Sequence, residues 1–218
     1  MKTTFTQANA VTLAFIMVFF TLSLSSCSKD DGDNNVTPEL EVKTVEDLDG
    51  SKTRVLLDDS GNPITNENGD EVLVPIRAYF DFSAGKEVDS TSTTWDIKFD
   101  GTTLSFGNGA EAQLVEGIFD NYVTAPSTGF STENMAGSGT WYNYTATTDP
   151  QHAILPIPGK ILVLKTHDDK YAKIELISYY RGNPDTSAEA FKDFMNRPDS
   201  KVYTFRYVVQ PDGSTNLK

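Results

Sequence analysis

The chain has a single cysteine, Cys27, and it closes an apolar leader. Met1-Lys2 supplies a short basic start, residues 11–24 an apolar run broken only by small polar residues, and Leu24-Ser25-Ser26-Cys27 a small-residue lipobox. The run is too short and too rich in Ser and Thr to span a bilayer. It reads as a targeting segment, residues 1–26, that is cleaved to leave Cys27 as the acylated first residue. A lone thiol taken up by lipid leaves no internal disulfide, no thiol catalysis and no thiolate metal site. Whatever folds beyond it must be held by a packed core alone.

Enough chain remains for that. Residues 27–218 suit one domain with its own core and little more. Lys2 is the only charged residue in the leader, so the mature chain sets 17 Lys and Arg against 31 Asp and Glu, a net charge of −14. Such a surface opposes nucleic acid and anionic lipid, and excludes phosphate-backbone binding as a reading. Residues 27–39, ending in the polar stretch SKDDGDNNVTPE, lack apolar periodicity and read as a flexible acidic tether. The folded domain is expected over 40–218.

From residue 40 the pattern is that of a mostly β protein. Val55-Leu56-Leu57 and Val72-Leu73-Val74 flank turn-rich clusters, and Tyr79-Phe80-Asp81-Phe82 forms a short strand. Trp95, Ile97 and Phe99 share one face of an alternating segment that runs into Asp100-Gly101, read as a two-residue type I′ hairpin turn. A second hairpin folds at Asp168-Asp169. A two-residue turn there sets Ile161, Val163, Lys165 and His167 opposite Leu176, Ile174, Ala172 and Lys170. Tyr203, Phe205 and Tyr207 line one side of a last strand. Only residues 186–195 look helical, with Thr186 and Glu189 in capping-box spacing and Phe191, Phe194 and Met195 as an apolar stripe. The expected fold class is a single antiparallel β domain with one or two short helices.

Catalytic motifs are few. The chain has two histidines, His152 and His167, and no Gly-x-Ser-x-Gly elbow. Paired aspartates such as Asp168-Asp169 lack the ligand spacing of a calcium loop and read as solvated turns. We expect no enzyme. The segment 132–158 is different. It carries Met135 in a Gly-flanked loop, then Trp141-Tyr142-Asn143-Tyr144, then His152. A thioether, an imidazole and several aromatic rings are what a site for a flat apolar iron porphyrin needs, because haem iron accepts His or Met as axial ligands. The same residues also suit an ordinary core and loop, with Trp141 buried.

Four stretches carry a resemblance to a known family. They are Trp95-Asp96-Ile97-Lys98-Phe99-Asp100-Gly101-Thr102-Thr103, Thr140-Trp141-Tyr142-Asn143-Tyr144, Lys165-Thr166-His167-Asp168-Asp169-Lys170-Tyr171-Ala172-Lys173-Ile174, and Tyr203-Thr204-Phe205-Arg206-Tyr207. In this order, across most of residues 76–209, they resemble the HmuY family of haem-binding lipoproteins from Bacteroidetes. Lys29-Asp30-Asp31 resembles the export tag of surface-displayed lipoproteins of that phylum. The resemblance implies a lipid-anchored protein of the outer membrane, at the cell surface, that takes haem from host haem-carrier proteins as cargo. It would then pass the haem to a TonB-dependent haem receptor. Where the family reads Thr-Ala-Asp-Gly-Lys, this chain has Thr166-His167-Asp168-Asp169-Lys170, so Asp169 must adopt a glycine-like positive φ.

Iron ligands vary within the family between His and Met, so the assignment here rests on chemistry and position. Met135 and His152 are the expected axial pair, His167 the reserve, and Trp141 and Tyr142 the expected walls. A mixed Met/His pair raises the iron's reduction potential relative to paired His. The alternative is a non-haem glycan- or protein-binding accessory lipoprotein of an outer-membrane transporter, with Trp141, Tyr142 and Tyr144 stacking on sugar.

Overall fold

The computed structural model of the protein describes residues 40–218; the leader, Cys27 and the whole tether lie outside the described residues. The first strands are short: β1 (Lys43–Asp49), β2 (Thr53–Val55), β3 (Leu73–Pro75), β4 (Ala78–Asp81) and β5 (Lys86–Val88). β6 (Ile97–Asp100), β7 (Thr103–Phe106) and β8 (Glu111–Glu116) follow. Beyond a 3-10 turn at Phe119–Asn121 come β9 (Tyr142–Tyr144), β10 (Ile154–Pro156), β11 (Lys160–Lys165) and β12 (Tyr171–Tyr180). A one-turn helix, α1 (Glu189–Lys192), precedes the closing β13 (Ser200–Gln210). No helix among the described residues is long and apolar enough to cross a membrane.

All pairing is antiparallel. A five-stranded sheet runs β1-β13-β12-β11-β8 and a four-stranded sheet β5-β4-β6-β7, with two-stranded ribbons β2-β3 and β9-β10. The two larger sheets meet through aromatic rings: Phe80 and Phe99 lie against Phe205, Phe99 against Tyr203, and Phe82 against Tyr207. Tyr203, Phe205 and Tyr207 therefore share the inner face, as the alternation requires. The outer face of the large sheet has its own smaller core of Ile161, Val163, Ala125 and Leu217. Lys173 is buried on that side, where its ammonium donates to the carbonyls of Phe119 and Tyr122.

Three local expectations are corrected. The turn between β6 and β7 is Gly101-Thr102, since Asp100 pairs with Thr103. Only Gly101 has positive φ, which marks a type II′ turn in place of type I′. At the second hairpin Leu162 pairs with Ile174 and Leu164 with Ala172, one residue out of the expected register. The loop has three residues, closed by Thr166 and Lys170, with Asp169 at φ 63°. A one-residue slip exchanges the faces of a strand, so Leu162 and Leu164 enter the main core and Ile161 and Val163 the outer one. His167 leaves the strand altogether. Lastly, the capping box at Thr186 does not form. Asp185 captures the Ser187 N–H and hydroxyl, Ala188 caps without a side-chain bond, and Asp193 accepts from Met195 N–H and the Asn196 amide. These local bonds compete with the helix at both ends and leave one turn.

Candidate functional site

The β9-β10 ribbon positions the candidate site. Tyr144 pairs with Ile154 at its outer end, and the connecting loop returns with His152 two residues before that pair. Thr145 closes the loop base: its hydroxyl accepts Ala153 N–H at 2.8 Å and donates to the Pro150 carbonyl at 2.6 Å. His152 has a left-handed backbone, φ 55°, with its N–H on the Ala146 carbonyl at 2.8 Å. A non-glycine residue adopts that conformation at a cost the surrounding bonds must offset.

Much of that hold comes from Arg197. Its guanidinium donates to the carbonyls of Gln151, at 3.0 Å, and His152, at 3.2 Å, while lying over the Phe191 ring. The loop is thereby tied to the segment after α1. The same segment places the Phe194 ring edge-on to the imidazole, with 6.1 Å between centroids.

His152, Ile154, Tyr179, Tyr180, Phe194 and Arg197 line an open cleft of about 390 Å³. The imidazole is exposed, and its Nδ1 is 2.7 Å from the Tyr144 hydroxyl. Among the described residues nothing hydrogen-bonds its Nε2. Phe194 and Met195 are also exposed, Met195 by 77 %. Burial pushes the Tyr179 phenol well up, with Tyr180 and Tyr142 adding to the effect, so this buried hydroxyl stays neutral at every ordinary pH. Chemically the cleft offers one accessible imidazole nitrogen, the apolar side chains of Ile154 and Phe194, and a polar rim on which Arg197 stands with Asp199 and Ser200.

The other expected site residues lie elsewhere. Met135 pairs with Leu104 through both backbone hydrogen bonds, each 2.9 Å, and its half-buried side chain packs against the main core, not along the cleft. The Met135 loop does reach the site by another route, because Ser138 accepts the Tyr144 N–H at 2.9 Å. Trp141 is only 2 % exposed; its indole N–H donates to the Thr102 carbonyl at 3.0 Å. Tyr142 is likewise buried beside it. These two rings, expected as walls, are packed into the main core beneath the ribbon.

His167 sits at the far end of the large sheet. His152 neighbours Tyr180, at the end of β12, and His167 precedes Tyr171, at its start; nine residue steps separate those ends by roughly 30 Å. One iron cannot take both. His167 is instead fastened to fully buried Asp96, whose Oδ1 accepts both the backbone N–H of His167, at 2.7 Å, and faces its Nδ1, at 2.9 Å. Asp96 Oδ2 accepts Phe82 N–H at 2.8 Å. Burial pushes the Asp96 carboxyl up, against these same bonds. Asp81 lies close enough that one donor atom from each of the three residues falls within 4.8 Å of the others. The group ties the hairpin loop to the four-stranded sheet.

The sequence reading missed Arg197 and misassigned Phe194 to a helical stripe. Arg197 follows its loop partners His152 and Gln151 by 45 and 46 residues and carries no motif. Phe194 was visible as an apolar residue before Pro198, but its orientation depends on the Asp193 turn.

No protein-family model and no curated protein matches the chain. Solved structures do. The chain is similar to HmuY-like proteins. One is an HmuY-like haem-binding protein from Bacteroides vulgatus, at 14 % identity over 61 % of this chain and 84 % of that one, with a TM-score of 0.40. Another is the apo HmuY analogue of Tannerella forsythia, at 14 % identity over 79 % and 96 %, with a TM-score of 0.40. A third is apo PinO from Porphyromonas gingivitis, at 12 % identity over 78 % and 97 %, with a TM-score of 0.43.

Proposed function

We propose that this protein is a lipid-anchored haem-binding protein that takes haem as cargo at the His152 cleft and performs no chemistry on it. One observation carries the reading: an exposed imidazole, fixed through Nδ1 and with Nε2 uncommitted, beside exposed Phe194 in an open cleft. Neutral imidazole is a strong axial ligand for haem iron, and an aromatic edge suits the porphyrin face. The name of the similar structure from Bacteroides vulgatus agrees with it.

The anchor is Cys27, with 1–26 as signal peptide, 27–39 as tether and 40–218 as the binding domain. Acyl chains, each methylene worth about 0.8 kcal/mol, hold such a protein at the outer membrane. The tether gives the cleft reach towards a TonB-dependent receptor and host haem carriers. The acidic surface keeps nucleic acid out of the account.

The structure favours His152 over the other expected ligands, because Met135 would have to leave its core packing and His167 its carboxylate. Hemin titration of the purified protein should give a saturable Soret shift, and His152→Ala should lose or displace it. Absence of any saturable shift in both ferric and ferrous states removes the reading.

A further inference from the structure

Resting on the reading of His152 as iron ligand, we propose that Tyr144 is its positioning residue: the Tyr144 oxygen accepts the Nδ1 proton of His152, leaving Nε2 as a preformed, unprotonated donor for iron. The 2.7 Å contact fits donation in either direction. A neutral imidazole carries one proton, so the direction decides which nitrogen can bind metal. If the phenol donated, the proton would sit on Nε2 and iron could bind only after a tautomer change. Tyr144 is 46 % exposed, and its own hydroxyl proton can go to water, which frees the oxygen to accept.

Both partners stand on fixed backbone. Tyr144 is held by its pairing with Ile154 and by its N–H on the Ser138 hydroxyl. His152 is held by its N–H on Ala146 and by Arg197 on its carbonyl. The left-handed φ of His152 is the cost of aiming the ring this way, with the two rings inclined by only 34°. A second partner of this kind sets the tautomer and direction of a ligating histidine, and removing it costs about 10- to 100-fold in metal affinity. It also enriches the electron density on the ligand, which favours ferric iron.

The tautomer is read first, without haem. Long-range nitrogen–proton NMR of the metal-free protein at a pH where His152 is neutral should show the Nδ1–H form. The Nε2–H form overturns the proposal. Next, Tyr144→Phe should weaken hemin binding about 10- to 100-fold and raise the iron reduction potential. Affinity and potential both equal to wild type also overturn it. Circular dichroism and the urea midpoint of Tyr144→Phe, expected to match wild type, separate positioning from folding; should the variant misfold, the tautomer measurement decides alone. His152→Ala separates the two claims. A hemin spectrum unchanged by His152→Ala defeats the ligand assignment, while the tautomer result still judges Tyr144.

Discussion

The two histidines are chemically the same residue in opposite settings. His167 meets a carboxylate with no solvent exposure, through both its ring and its backbone N–H, and its side chain is only 17 % exposed. His152 meets a half-exposed phenol on a strained loop, and its ring stands in solvent beside Phe194. The first arrangement spends the imidazole on holding two sheets together. The second spends backbone bonds on holding the imidazole out. Surface imidazoles are common, but one that several separate elements brace is a stronger pointer to binding than one a buried acid has captured.

The most severe way to test this contrast is Asp96→Ala. It strips the acceptor from Phe82 N–H, His167 N–H and the His167 ring at once, all at a buried position. Leaving such donors unmet should destabilise the protein by about 3 kcal/mol, read as a lowered urea midpoint. Hemin binding by the fraction still folded should be unchanged. His152→Ala should do the reverse, shifting stability by less than about 0.5 kcal/mol while altering the spectrum. If Asp96→Ala spares stability and abolishes hemin binding, the roles of the two ends are exchanged.

A subtler test uses Asp168, in the same loop as His167. Burial by itself would raise this carboxyl, but bonds from Lys170, Ser83 and Thr166, with the attraction of Lys170, outweigh it and hold the group well below the usual carboxylate range. A depressed folded value means that its contribution is present above the unfolded value, near pH 4, and is lost as pH falls further. Asp96, raised by burial, leans the other way: its contribution is lost as pH climbs from the unfolded value through the folded one. Asp168→Asn should therefore cost about 1 kcal/mol at neutral pH and flatten the loss of stability below pH 4. Urea midpoints from pH 2 to 7 measure it. An acid limb as steep as wild type would mean that the His167 end is not held by this network.

How much of this was legible in the sequence follows a physical line. Strand identity was, because Ile97 with Phe99 and Tyr203 with Phe205 alternate strongly and only one pleat buries them. Turn placement was not. A three-residue loop at 167–169 and a two-residue loop at 168–169 differ by one residue, and the choice rests on Thr166 bonding across to Lys170 and Asp168. The site followed the same rule. His152 was readable as chemistry and a buried Trp141 was one of the two readings its segment allowed, whereas Tyr142 was not readable as core, since aromatic residues in a short ribbon look alike whichever way they face. Arg197 had no local signal, because its function exists only once the chain brings residues 151 and 197 together.

Met135 gives the smallest expected effect and the sharpest division between ends. Its backbone is paired with Leu104 and its side chain touches the main core, so Leu should replace it with little loss. A volume-conserving exchange of this type costs less than about 1.5 kcal/mol, and at a half-buried position the lower part of that range is expected. A thioether ligand behaves differently. Met135→Leu would then remove the iron–sulfur bond, lower the reduction potential and change the spectrum while leaving stability alone. The expected result is an unaltered hemin spectrum with a slightly shifted urea midpoint. The converse result would show that the loop holding Met135 peels from Leu104 when haem enters.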